Sequence, residues 1–185
     1  MQRLKYMMVW LCRCRHSRGF GVQSPTAYWF IRYVVNEHYP YYRYRELGRG
    51  DDWQTRKLGR LYFRLSNWLQ PRAIKNVDDG RDCFSKYFKA GAQKAVLGEE
   101  CYTDTMLTRV LLTVDGASAA VERVLQQAQK GSLLVMEGIY HDATTKALWK
   151  AVMHDKRVGV CYDLYYCGIV TFDRPIYSCC YVVNF

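Results

Sequence analysis

From residue 73 onward the sequence alternates between short apolar runs and amphipathic stretches, and this alternation limits the fold more than any other feature. Ala73–Val77, 94–97, 108–114 and 132–136 read as strands, the third being the run Arg-Val-Leu-Leu-Thr-Val. Residues 83–89, 117–130 and 143–154 read as helices, with Gly91 and Gly131 closing the first two and Ala147, Leu148, Ala151 and Val152 facing inward from the third. Strands that alternate with helices pair in parallel through right-handed crossovers. Three further strands, 158–163, 169–172 and 181–185, follow without intervening helices and add antiparallel pairs. The expected fold is α/β and Rossmann-like, a mostly parallel sheet with helices on both faces.

The first 72 residues read differently. Ser24 caps and Pro25 opens a helix over 27–39, stopped by Pro40. Asp51 and Asp52 suit the start of a second helix reaching Leu69, with Leu58, Leu61, Tyr62, Leu65 and Trp68 as its apolar stripe. Residues 1–72 hold 14 Lys and Arg against 4 Asp and Glu, while residues 73–185 hold 13 against 13. The whole net charge of +10 therefore belongs to the N-terminal part. The chain divides into a basic helical extension, 1–72, and an α/β domain, 73–185, in one compact unit. So localised an excess points to an anionic partner (nucleic acid, a membrane surface or an acidic protein) or else to a solvated face that binds nothing. The interleaved Tyr41, Tyr42, Arg43, Tyr44 and Arg45 fit stacking on bases and pairing with phosphates. They fit equally a loop packed over the sheet with its Arg heads in water.

No apolar run approaches the roughly 18 residues of a membrane-spanning helix. The apolar stretch from Tyr6 to Cys12 is followed by Arg13, Arg15 and Arg18 without a small-x-small site. It reads as a packed helix or strand, or a weak interfacial segment, rather than a signal peptide. The eight cysteines contain no Cys-x-x-Cys. They read as reduced, core or half-buried thiols of a cytoplasmic protein, not as a zinc site or a disulfide framework.

Four pieces of the sequence carry a family resemblance. They are His16-Ser-Arg-Gly-Phe-Gly-Val-Gln-Ser-Pro25, Leu61-Tyr-Phe-Arg-Leu-Ser-Asn-Trp-Leu-Gln-Pro71, Val114-Asp115-Gly116, and the closing residues 162–172 with 181–185. Together they resemble the class I S-adenosylmethionine-dependent methyltransferases, in particular a bacterial branch of the small-molecule O-methyltransferase type. The first is similar to that branch's His-Gly-x-His-Ser-Pro opening, and the second to the helix before its first strand. The third is similar to the Ile-Asp-Gly that ends its fourth strand, and the last to its closing strands. The resemblance implies a Rossmann-like fold, S-adenosylmethionine as cofactor and methyl transfer to a small acceptor.

The departures from that pattern bear on function. In the family the first strand ends in a Glu/Asp-x-Gly-x-x-x-Gly loop, whose glycines let the backbone approach the methionine part of the cofactor. Here the loop is Asn76-Val77-Asp78-Asp79-Gly80-Arg81-Asp82. Asn76 stands at the acid position, and Asp78 and Asp82 at glycine positions, so carboxylates crowd a site that must accept another. The resemblance places the cofactor against Asn76, Asp78, Gly80, Glu99 and Asp115, with Glu99 or Glu100 at the ribose. It also requires a helix, a third strand and another helix after the second strand. Only residues 101–107 are present there, fewer than the roughly 10–12 a crossover needs. The third strand is therefore expected to be missing. That leaves the strand at 94–97 on an edge, open to pairing with a second copy in a homodimer.

Relatives of the catechol methyltransferase type hold a divalent cation through an acid after strand four and an acidic pair after strand five. Asp115 and Glu137 stand at those places, as ligands for a hard cation or as strand-end residues that cap turns. His141 follows the fifth strand beside Asp142; the pair reads as a general base or, with Asp142 as N-cap, as the start of the next helix. Asp115 and His141 are thus the catalytic candidates. Gly-x-Ser-x-Gly, Walker and His-Glu-x-x-His motifs are absent. Three functions stand: a divergent methyltransferase-like protein with impaired or lost cofactor binding, an active small-molecule O-methyltransferase, or an anion- or nucleic-acid-binding module using the basic part. The altered loop and the missing strand favour the first.

Overall fold

The computed structural model describes residues 2–17, 19–80, 82–98, 105–173 and 179–185, with side chains from Tyr6 onward. Its strands are β1 (Ala73–Val77), β2 (Val96–Leu97), β3 (Met106–Leu111), β4 (Leu133–Glu137), β5 (Val160–Asp163), β6 (Cys167–Thr171) and β7 (Cys179–Val182). They lie side by side in the order β2-β1-β3-β4-β6-β5-β7. β1 runs parallel to β2 and β3, β3 to β4, and β5 to β7. β6 is antiparallel to both its neighbours, β4 and β5. The helices are α1 (Gln2–Cys12), α2 (Pro25–Phe30), α3 (Tyr44–Leu47), α4 (Trp53–Leu69), α5 (Ser85–Gly91), α6 (Ala117–Gln127) and α7 (Ala143–Met153).

Two apolar layers enclose the sheet. On one face Ile74, Leu107, Leu133, Val135 and Ile169 pack under Phe30, Leu58, Leu61, Tyr62, Leu65 and Phe88 of α2, α4 and α5. On the other, Val110, Leu134, Met136 and Val170 pack under Val121, Leu125, Trp149 and Val152 of α6 and α7. The fold is the expected Rossmann-like α/β sheet. Among the described residues no strand lies outside β2, whose Val96 and Leu97 are exposed. The edge is therefore where the shortened connection puts it.

α4 shows how closely the N-terminal part joins the sheet. Asp52 caps it, accepting from the main-chain N–H groups of Gln54 and Thr55. Gly59 of α4 lies against the Tyr87 ring, and Gly91 of α5 against the Phe63 carbonyl; a Cβ at either position would drive the helices apart. Tyr62 stacks on Phe88 with centroids 5.1 Å apart and meets Phe84 edge-on at 4.8 Å.

Several expected boundaries move, each for a local reason. The helix opened by Ser24 and Pro25 passes into a π-helical turn, Ile31–Val35, and stops before Pro40. The buried Arg64 guanidinium takes the carbonyls of Val34 and Val35 at 2.7 and 2.8 Å, which closes the helix from outside. β3 runs from Met106 to Leu111 and then turns, the Val114 N–H donating to the Leu111 carbonyl at 3.4 Å. In α7 the inward anchor is Trp149, wholly buried and packed flat on Gly168, while Ala147 and Ala151 face solvent. Trp68 leaves the α4 stripe for its rim, 39% exposed, with its ring 4.9 Å from Phe30. The last strand is β7, beginning at Cys179 rather than 181. Cys161 and Cys167 are buried, but Cys12, Cys14, Cys179 and Cys180 are exposed rather than in the core. Among the described residues, no helix is long and apolar enough to cross a membrane.

Candidate functional site

In an open α/β sheet, ligands bind outside the carboxyl ends of the parallel strands. Here those ends belong to β1, β3 and β4. Leu107 and Val135 point into the layer under α4, so the alternation of side chains sends Arg109 and Glu137 to that face too. Asn76 lies opposite Arg109 in the β1–β3 register.

Arg109 is 2% exposed and occupies this edge. Its Nε donates to Glu137 Oε2 at 2.8 Å, and its Nη1 to Asn76 Oδ1 at 2.7 Å and Asp78 Oδ2 at 3.3 Å. Its guanidinium carbon lies 4.4 Å from the Phe84 ring centroid. Tyr62 from α4 donates its hydroxyl to the same Glu137 oxygen at 2.6 Å. Asn76 Nδ2 donates to Asp78 Oδ2 at 2.6 Å, closing the network. Burial disfavours the charged guanidinium, yet Tyr62 and Glu137 hold its pKa above the already high ordinary value. Burial pushes the Tyr62 phenol well above its usual range, and the Glu137 carboxylate adds to that. The arrangement is a buried cation whose partners are two carboxylates and an amide. Such a network holds one geometry firmly, and removing a single member leaves an uncompensated charge.

The candidate residues divide into those that Arg109 gathers and those it leaves apart. Asn76, Asp78 and Glu137 come together around it. The expected crowding of carboxylates is answered from within the fold. Asp78 Oδ1 accepts from the Gly80 main chain at 3.0 Å, with Gly80 at φ +82°, and Asp82 accepts from Ser85 at the start of α5. Asp115 is exposed in the turn between β3 and α6. His141 is exposed after β4, and Asp142 forms a capping box with Thr145 at the start of α7. Glu99 and Glu100 lie outside the described residues. Among the described residues no group of three or more His, Cys, Asp or Glu is placed to hold a metal ion. Glu137 Oε2, one of the two expected ligands, is occupied by Tyr62 and Arg109. Sequence reasoning passed over Arg109 itself. Its signal was there: a single charge inside a strand of otherwise uncharged residues, near acids at two strand ends.

A second polar region lies on the other side of α4. A cavity of about 970 Å³ is lined by Arg45, Arg56, Lys57, Arg60, Glu37 and Tyr44, among others. A neighbouring cavity of about 540 Å³ shares Trp10, Trp53, Lys57 and Phe185 with it. Lys57 Nζ lies 4.7–5.0 Å from the ring centroids of Trp53, Tyr166 and Phe185 and donates to the Phe185 main-chain oxygen at 2.7 Å. The aromatic-basic segment divides between its two expected roles. Tyr41 and Tyr44 pack on Phe63, whereas Tyr42 is 78% exposed and Arg45 reaches solvent.

No family model matches the chain. No curated protein matches it. Among solved structures it is similar to the SAH-bound methyltransferase PaMTH1 of Podospora anserina, at 9% identity, over 71% of this chain and 86% of that one, with a TM-score of 0.48. It is also similar to cofactor-bound Rv0187 from MTB, at 10% identity, over 81% of this chain and 97% of that one, with a TM-score of 0.45. At these values neither likeness carries an argument about function.

Proposed function

We propose that this chain is a methyltransferase-like Rossmann domain whose S-adenosylmethionine site is closed by its own Arg109, and that it acts by binding rather than by methyl transfer. One observation carries the reading. Three of the six residues that the family resemblance sets against cofactor and metal, Asn76, Asp78 and Glu137, are engaged by one buried guanidinium. A methionine carboxylate entering there would have to displace Asp78 from Arg109, and the carboxylates of Asp78 and Glu137 repel it. The short connection over 101–107 supports the same reading, since the family's adenine contacts come from the strand it omits.

Calorimetric titration with S-adenosylmethionine and its demethylated product tests this. The expected result is no saturable heat, corresponding to a Kd weaker than about 1 mM. Micromolar binding would overturn the reading. It would favour instead methyl transfer to a small acceptor, with the exposed Asp115 and His141 as the groups to mutate first.

A further inference from the structure

The cavity beside α4 has a wall unlike the sheet edge. It brings together Arg45, Arg56, Lys57 and Arg60 with Glu37 as the one carboxylate among its lining residues, and Glu37 already accepts the Tyr41 hydroxyl at 2.8 Å. Among the described residues none of these four cations forms an ion pair with an Asp or Glu side chain. Arg56 and Lys57 reach main-chain oxygens only, those of Asp51 and Phe185. The Arg60 guanidinium lies 4.9 Å from the Tyr44 ring centroid, and its Nε is buried without a hydrogen-bond partner. Asn36, also in the wall, has a buried Nδ2 without one. Arg64 differs from its neighbours: it lines the same cavity, but its Nε and Nη2 donate to the Val34 and Val35 carbonyls and its Nη1 to the Tyr44 hydroxyl.

Four cations converging on one concavity repel one another, and a polyanion removes that repulsion. Exposed rings stand beside them: Tyr39, Tyr42 and Trp53 all line this cavity and are 64%, 78% and 55% exposed. Trp53 also belongs to the neighbouring cavity, which Tyr6, Tyr165 and Tyr166 line. Cations that pair phosphates, next to π-faces that stack on a planar ring, are the combination that recognises a nucleotide. The volume, about 970 Å³, accommodates a ligand of that size. We infer that this cavity is a binding site for a free nucleoside polyphosphate, held through its phosphates by Arg45, Arg56 and Arg60 and through its base by the adjoining rings. The site is separate from the Arg109 cluster, and each reading can fail without the other.

Calorimetry with ATP, inorganic triphosphate, adenosine and a single-stranded oligonucleotide tests it on the full chain. ATP should bind with a micromolar Kd, triphosphate about tenfold more weakly, and adenosine not measurably. Raising salt from about 50 to about 200 mM should weaken ATP binding severalfold, because several phosphate charges are neutralised. The double variant R45Q/R60Q should weaken ATP binding at least tenfold with an unchanged circular dichroism spectrum. Should that variant fail to fold, R45E alone, at an exposed position, should weaken binding at least threefold. No saturable heat with ATP would overturn the inference. So would adenosine binding as tightly as ATP, unchanged affinity in the folded variants, or an oligonucleotide binding much more tightly than the mononucleotide.

Discussion

Arg109 and Arg60 sit near two faces of the same helix, α4, and meet opposite fates. Arg109 reaches Tyr62 and Glu137 on the sheet side, and its Nε and Nη1 end on acceptors from this chain. Arg60 looks to the other side, stacked over Tyr44, with its Nε unmatched. A fold that satisfies a cation internally has used it as structure. One that gathers four cations around a single carboxylate has accepted repulsion, a cost that a ligand can offset. The edge that the sheet architecture marks for a ligand is thus the filled one, and the concavity contributed by the N-terminal helices is the open one.

The sharpest way to break this contrast is to remove the plug. Arg109→Met strips the partner from Glu137 and Asp78, whose side chains are only 13% and 11% exposed. Orphaning a buried pair in this way costs about 3–5 kcal/mol. Urea unfolding should show it as a lower midpoint with an unchanged slope. Glu137→Gln should cost less, since Asn76 and Asp78 still hold the guanidinium. A loss under about 1 kcal/mol for Arg109→Met would mean that water already serves these carboxylates and that the edge is open.

A finer comparison lies within α4, between two arginines one helical turn apart. Arg64→Met frees the carbonyls of Val34 and Val35 at the end of a buried helix, and each unmet group costs about 1–3 kcal/mol. Arg60→Met removes a donor that has no acceptor and relieves like-charge crowding, so its effect should stay within about 0.5 kcal/mol. Thermal melts of the two variants side by side check this. Equal losses would show that Arg60 is structural after all and would weaken the case for an open cation wall.

The same contrast explains what could be read from the sequence. The alternation of strands and helices and the edge at β2 follow from periodicity and connection length, which are local properties. The caps at Ser24, Asp52 and Asp142 were legible for the same reason, because the capping side chain and its N–H lie within three residues. Arg109 was not, since its partners are 28, 31 and 33 residues away and converge only when β1, β3 and β4 pair. Arg64 was missed likewise: it ends a helix 29 and 30 residues upstream, so the stop at Val35 has no signal of its own near Val35. Trp149 displaced the expected Ala147 and Ala151 because the sheet offers it Gly168, whose bare Cα leaves room for an indole.

A pH-dependent effect belongs to Lys57, which borders both cavities. Burial pulls its ammonium down to about 8, with the Cys167 thiol acting weakly in the opposite direction. Below that pH the group is charged and adds to the attraction for a polyanion; above it the charge is gone. ATP affinity should therefore fall as pH rises from about 7.5 to about 9, by roughly fivefold, the worth of about 1 kcal/mol for one charge near the ligand in water. Three neighbours, Cys167, Tyr166 and Asp52, keep their charge state over this range. Burial holds the Cys167 thiol well above its ordinary value and Tyr166 up at about 12. Asp52 is held low by its bond from Thr55 and stays ionised. Lys57→Arg keeps the charge throughout and should flatten the profile, while Lys57→Met should flatten it at the weaker level. A wild-type profile that is already flat would place the phosphates away from Lys57, toward Arg45, and would narrow the anion site to the outer half of the cavity.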